Sequence, residues 1–180
     1  MSNAIYINED LQLTGFQPGD QENMVRYLND AELYRNTLTI PSPYTLADAE
    51  QWLAKTQATS TQHGIRTNWA IRHRTDGVIG SIGAFMTKGR DGHSDELGYW
   101  LAAPYRGQGI MTAVLREFTT WQFANRPALL RLQGIVFAYN PTSAHVLEKS
   151  GFQREGYLRK YDWKDGEAID GIVLAKIRED

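Results

Sequence analysis

The chain contains no cysteine, which removes disulfide bridges, thiolate metal ligands and a cysteine nucleophile together. Its histidines, His63, His73, His93 and His145, are scattered with no spacing that suggests a zinc site, so no metal is expected. No apolar run approaches the roughly 20 residues that a membrane-spanning helix needs. Residues 1–9 lack the basic segment followed by an apolar stretch that marks a secretory leader, so the expected location is the cytoplasm. An excess of positive charge is missing too. Lys and Arg number 19 against 21 Asp and Glu, a net charge of −2. That balance argues against the broad phosphate-neutralising surface of a nucleic-acid binder, so neither nucleic acid nor membrane is an expected partner.

What is present suits one domain over residues 1–180. A chain of this length buries roughly 70% of the surface it exposes when unfolded, enough for a core without staples. Five tryptophans and nine tyrosines supply large buried areas. No internal repeat or low-complexity segment interrupts the chain.

Alternation of apolar residues over 5–13 predicts an opening strand. A short helix follows Pro18-Gly19-Asp20 to about Leu28. Pro41 and Pro43 keep residues 41–44 extended, and Thr45 with Asp48 forms an approximate capping box for the next helix. The runs 69–74 and 78–85 read as a hairpin about Thr75-Asp76-Gly77. A strand over 96–102 is stopped by Pro104, and from Gly109 the period changes to helical, with Ile110, Val114 and Phe118 four apart. A strand over 130–138 leads to Asn140-Pro141, an N-cap followed by a first-turn proline. The strands 152–163 and 168–177 then flank the turn Lys164-Asp165-Gly166. Interleaved strands and helices that end in an antiparallel pair predict an α/β fold with a mixed sheet.

The densest stretch is Glu96-Leu97-Gly98-Tyr99-Trp100-Leu101-Ala102-Ala103-Pro104-Tyr105-Arg106-Gly107-Gln108-Gly109-Ile110-Met111-Thr112. A strand ends, glycines open a turn, and a long amphipathic helix begins. Free N–H groups and the helix dipole make such a start an anion site. It is not a P-loop, because no lysine stands in it. Nor is it a dinucleotide fingerprint, because Thr112 occupies the place of the third glycine.

The remaining pattern, Arg106-x-x-Gly109-x-Met111 after Leu97-Gly98-Tyr99-Trp100-Leu101, resembles the pyrophosphate-binding signature of the GNAT superfamily of N-acetyltransferases. It is most similar to the branch that contains the ribosomal-protein N-terminal acetyltransferases. Residues 41–52 resemble that branch's early proline-tyrosine helix entry. Residues 140–156 resemble its late helix-and-strand motif. The motifs stand in the family's order from about Pro41 to the C-terminus.

The resemblance implies a mixed central sheet, flanked by helices, whose fourth and fifth strands splay apart to admit the pantetheine of acetyl-CoA, the co-substrate. It also implies residue roles. The backbone of Trp100, Leu101 and Ala102 would pair with pantetheine amides. The amides of Gly107, Gln108, Gly109, Ile110, Met111 and Thr112 would hold the pyrophosphate, with Arg106 near the phosphates. Asn140 is either a coenzyme ligand or a plain N-cap. Many relatives carry a tyrosine acid late in the short helix, where this chain has Leu147; Ser143, near the helix start, is the alternative contact to the coenzyme sulfur. For the base that takes the amine proton, Asp162 is the first candidate and Glu96 the second, with Glu155 behind them. Tyr34, Tyr44, Trp52 and Phe85 are candidates to border the acceptor.

The implied function is transfer of the acetyl group of acetyl-CoA to a primary amine, either a protein or peptide N-terminus or a small amine such as a polyamine, amino acid or aminoglycoside. A coenzyme-A-binding regulator without turnover is the reading from another class. A homodimer is compatible with the family.

Overall fold

The computed structural model describes residues 4–84 and 92–179. Its strands are β1 (Ala4–Tyr6), β2 (Leu11–Thr14), β3 (Asn68–His73), β4 (Gly77–Ala84), β5 (Ser94–Leu101), β6 (Arg131–Phe137), β7 (Gln153–Lys164) and β8 (Glu167–Ile177). The helices are α1 (Asp20–Leu28), α2 (Ala31–Asn36), α3 (Leu46–His63), α4 (Ile110–Asn125) and α5 (Pro141–Lys149). The strands hydrogen-bond in the order β1-β2-β3-β4-β5-β6-β8-β7 as an eight-stranded mixed sheet. Contacts divide the chain into two compact units, one of Met1–Ala84 with Gly98–Ile110 and one of Phe85–Leu97 with Met111–Asp180. Strand β5 is shared between them.

In the first unit, β1 to β4 form an antiparallel meander. The single opening strand expected over 5–13 is a hairpin instead. Asn8 Oδ1 accepts from Asp10 N at 3.0 Å, and Leu11 O accepts from Ile7 N and Asn8 N. This side-chain turn competes with a continuous strand. The capping box of α3 forms as expected, Thr45 accepting from Asp48 N while Asp48 accepts from Thr45 N. Met24, Leu28, Leu33, Ala49 and Val78 pack a core that also takes in Tyr44 and Trp100.

One buried charge pair ties this meander to α1. Arg72 Nη2 lies 2.8 Å from Asp20 Oδ2, the side chains 15% and 7% exposed. The guanidinium also donates to Asp20 Oδ1 and Thr14 Oγ1. Removing one member strands the other charge without its partner. Asp20→Ala is therefore expected to cost about 3 kcal/mol, a fall of roughly 6–12 °C in the thermal midpoint. Calorimetry checks this, and an unchanged midpoint contradicts it.

In the second unit, β6 runs parallel to the first residues of β5, with Ser94, Asp95 and Glu96 opposite Arg131, Leu132 and Gln133. That register ends at Glu96, although β5 continues to Leu101 and β6 to Phe137. The short β1 makes this parallel pair the fifth and sixth strands of the chain. Strand β8 pairs antiparallel with β6 and with β7. Alternation along the strands assigns the two faces. Leu147 of α5 lies against Gly134, its Cδ1 3.1 Å from where a Cβ would stand, so α5 covers the face of Gly134. The other face carries Glu96 and Gln133, which are paired with each other. It also carries Asp162, because its partner Ile169 shares a face with Ala175, the partner of Gln133.

Candidate active site

The turn before α4 is built on two left-handed glycines, Gly107 at φ +73° and Gly109 at φ +76°. An L side chain is strained at both, and a Cβ added to either would meet nothing within 4 Å. The space in front of the helix is therefore open to a ligand. The amides of Gly107, Gln108 and Gly109 have no protein acceptor among the described residues. Gln108 turns its own side chain back, donating from Nε2 to Pro104 O at 2.8 Å. Unoccupied N–H groups at the start of α4 (Ile110–Asn125) suit an anion, so these residues fit a pyrophosphate.

Arg106, expected near the phosphates, is engaged by groups of the protein itself. Its Nη1 lies 2.8 Å from Glu32 Oε2, and Nη2 lies 3.3 Å from Asp30 Oδ2 without hydrogen-bond alignment. Its Nε donates to Leu101 O at 3.0 Å. The guanidinium thus clasps the end of β5 to the start of α2. Ala102 is also engaged: its N–H donates to Ile79 O at 2.8 Å and its carbonyl accepts from Tyr105 N at 3.0 Å. Trp100 is buried. Tyr105 donates to Asp76, which joins the β3–β4 turn to the residue before Arg106. Tyr44 belongs to the core, where burial, then the charge of Asp48, pushes its phenol up to about 12. Trp52 packs edge-on against Phe16 at 5.2 Å, and Phe85 lies outside the described residues.

Helix α5 begins as the sequence predicts. Asn140 Oδ1 accepts from Ser143 N at 3.1 Å, with Pro141 in the first turn, so the asparagine is an N-cap. Ser143 stands in that first turn, half-buried. Leu147, in the place of the family's tyrosine, is fully buried and packs the sheet.

Polar groups gather on the opposite face of the second unit. Gln133 Nε2 donates to Glu96 Oε2 at 3.2 Å. Arg131 donates to Gln133 Oε1 and, through both Nη atoms, to Glu155 at 3.0 and 2.6 Å. Glu155 is held below the usual carboxylate range by that bond, so it is ionised and bound to arginine. Burial raises the Asp162 carboxyl. Tyr161 is raised by burial first, then by the negative charges of Glu96 and Asp162, which puts the phenol within electrostatic reach of both.

Residues 10–153 match the family profile described as an acetyltransferase (GNAT) domain. The chain belongs to the GNAT acetyltransferase family. Among its relatives is the SPbeta prophage-derived N-acetyltransferase YokL of Bacillus subtilis, 26% identical over 183 residues, covering 100% of this chain and 97% of that protein. Among solved structures, the ribosomal-protein-S5-alanine acetyltransferase of Vibrio fischeri superposes with a TM-score of 0.86 at 23% identity, covering 99% and 98% of the two chains. The microcin C7 self-immunity acetyltransferase MccE, solved with acetyl-CoA and AMP, gives a TM-score of 0.86 at 17% identity with the same coverage.

As a GNAT enzyme the chain is an acetyl-CoA-dependent N-acetyltransferase. Among the described residues no cluster of metal-binding side chains occurs, and no helix is long and apolar enough to cross a membrane. Sequence reasoning missed Tyr161, Gln133 and the kink in β7 that presents Tyr161. Gln133 was findable, since it sits at the period-2 position of a buried strand where a polar residue needs a partner. The kink had no local signal, because Lys160, at φ +52°, is not a residue type that favours that conformation.

Proposed function

We propose that residues 1–180 form a single N-acetyltransferase domain that acetylates the free amino terminus of a protein or peptide in the cytoplasm. One observation carries the choice of acceptor. Tyr161, whose phenol is raised by burial and then by the charges of Glu96 and Asp162, is 47% exposed. An open surface admits the end of a polypeptide, whereas a small amine is better served by an enclosed pocket. The likeness to a ribosomal-protein-S5-alanine acetyltransferase points the same way.

On this reading the amides of Gly107, Gln108, Gly109 and Ile110 hold the pyrophosphate of acetyl-CoA, and Met111 and Thr112 continue that row. The backbone of Trp100 and Leu101 pairs with the pantetheine. Arg106 and Asn140 act by shaping, the one through its clasp on Asp30 and Glu32, the other as the cap of α5. Glu96, oriented by Gln133, attracts the acceptor ammonium. Asp162 takes its first proton. The neutral nitrogen then attacks the thioester carbonyl carbon, an N–C bond forms and the C–S bond breaks with its electron pair on sulfur. Asp162 passes the first proton to solvent and takes a second from the nitrogen, which keeps one N–H in the amide, while the sulfur takes a proton relayed from solvent through the Ser143 hydroxyl.

Asp162→Asn is expected to lower kcat/KM by about 100-fold or more and to remove the acid limb of the pH profile. Burial makes the folded state hold this proton to a higher pH than the unfolded chain does. The group's contribution to stability is thus present at low pH and lost as pH rises through the folded value. At pH 7 the variant should melt no lower than the wild type. Glu96→Gln should raise the acceptor KM about tenfold, the loss of one charge contact. An unaltered rate and pH profile in Asp162→Asn removes it as the base. Turnover with spermidine or free amino acids but with no peptide contradicts the choice of acceptor.

A further inference from the structure

The pairing of β7 with β8 shifts register between Leu158 and Asp162, so residues 159–161 of β7 stand against Asp170 alone, two residues more than on the β8 side. Such a bulge re-aims a side chain. Here it contains Lys160 in the left-handed region at φ +52°, a conformation that costs energy for an L residue. One side chain answers that cost. Asp170 Oδ1 accepts from Lys160 N at 2.6 Å, and Asp170 Oδ2 accepts from Tyr157 OH at 2.6 Å. Bonds from Tyr157 and Lys160, with the charges of Arg159 and Lys160 in support, hold the carboxyl below its usual range. A charge-assisted bond to a backbone N–H is among the stronger kinds.

The bulge turns Tyr161 across the sheet. Its Cδ1 and Cβ lie 3.5 and 3.6 Å from where a Cβ on Gly171 would stand, beside Ile135 Cγ2 at 3.1 Å. Ile135 follows Gln133 on the same face of β6, and Gln133 holds Glu96. The Arg131 charge on this face is answered by Glu155. The backbone of Asp170 also reaches the run into α5, its carbonyl accepting from Ala138 N at 2.8 Å.

We propose that Asp170 is a positioning residue for the acceptor: it fixes the β7 bulge so that Tyr161 and Asp162 meet a primary alkylammonium, with the Tyr161 ring and hydroxyl as a specificity determinant for that cation. This rests on the acetyl-transfer reading above. A half-exposed tyrosine beside carboxylates supplies a cation with a π face and paired charge. Asp170 touches no reacting atom.

The test measures release of free coenzyme A from acetyl-CoA with a hexapeptide bearing a free N-terminus, in the full chain. Asp170→Ala is expected to raise the acceptor KM about tenfold, the effect of a displacement well under 1 Å to about 1 Å, with the KM for acetyl-CoA unchanged. Asp170→Asn, which keeps an acceptor for Lys160 N, should stay within about twofold of the wild type. Lys160→Gly added to Asp170→Ala should restore most of the loss, since glycine adopts the left-handed conformation unaided. Unchanged acceptor kinetics in Asp170→Ala, or a loss that falls on acetyl-CoA and is not rescued, overturns the inference. If Asp170→Ala does not fold, Tyr161→Phe decides: a raised acceptor KM supports the inference, an unchanged one overturns it. Turnover by the wild type that these variants leave intact overturns the inference alone. Absence of any release by the wild type, with the peptide or with spermidine, overturns the acetyl-transfer reading with it.

Discussion

Gly109→Trp is expected to weaken binding of acetyl-CoA at least 100-fold, roughly 2.7 kcal/mol, while the far-ultraviolet circular dichroism spectrum stays that of the wild type. Gly109 has φ +76°, and a Cβ built there meets no protein atom within 4 Å. The new side chain therefore starts into open space, and its indole is expected to occupy the volume that the coenzyme would fill. The backbone adds a smaller effect, since a non-glycine residue in the left-handed region costs about 1–2 kcal/mol. Gly109→Ala separates the contributions: it carries the backbone strain with almost none of the bulk, and should weaken binding by only about tenfold. Isothermal titration with acetyl-CoA measures both. Equal losses in the two variants mean that strain dominates; retention of affinity in Gly109→Trp means that the phosphate cradle lies elsewhere.

Arg126→Ala is expected to destabilise the protein by about 3–5 kcal/mol, a fall of roughly 6–20 °C in the thermal midpoint. Arg126 Nη1 lies 2.8 Å from Asp95 Oδ2, with the arginine side chain 10% exposed and the aspartate 0%. The same nitrogen donates to Gln122 Oε1, which joins the last turn of α4 to β5. Asp95 Oδ1 also accepts from Glu96 N at 2.9 Å, so the pair supports the strand that carries Glu96. Deleting the arginine removes the guanidinium that this buried carboxylate faces at 2.8 Å. The double variant Asp95→Asn with Arg126→Ala should recover part of the loss, because the buried carboxylate charge is removed together with the arginine. Differential scanning calorimetry checks both. A single-variant midpoint within 2 °C of wild type contradicts the assignment.

Where a residue type has one strong conformational meaning, the sequence already carried the structure. Thr45 and Asp48 form their capping box, Asn140 caps α5, and Gly107 and Gly109 take the left-handed conformations that the motif demands. The order of strands and helices followed from period and punctuation. What was illegible depends on contacts between residues distant in the chain. The Arg106 clasp needs Asp30 and Glu32, over 70 residues earlier, and a motif arginine read locally suggests only a nearby anion. The kink at Lys160 depends on Asp170 across the β7–β8 turn, and neither lysine nor aspartate announces it. The hairpin at residues 7–11 is hidden for a different reason: Asn8 and Asp10 also fit the polar positions of an alternating strand over 5–13, although the Asn8 side chain and the Asp10 amide close a turn.

Coenzyme binding at the start of α4 is tested most directly by the thermal midpoint with and without acetyl-CoA. A ligand at 100 times its dissociation constant stabilises by about 2.7 kcal/mol, so the wild type should gain roughly 5–10 °C with acetyl-CoA and nothing with NAD. Gly109→Trp should gain at most about 1–2 °C with acetyl-CoA and nothing with NAD. No shift of the wild type at saturating acetyl-CoA, or an equal shift in Gly109→Trp, contradicts the placement of the site at the start of α4.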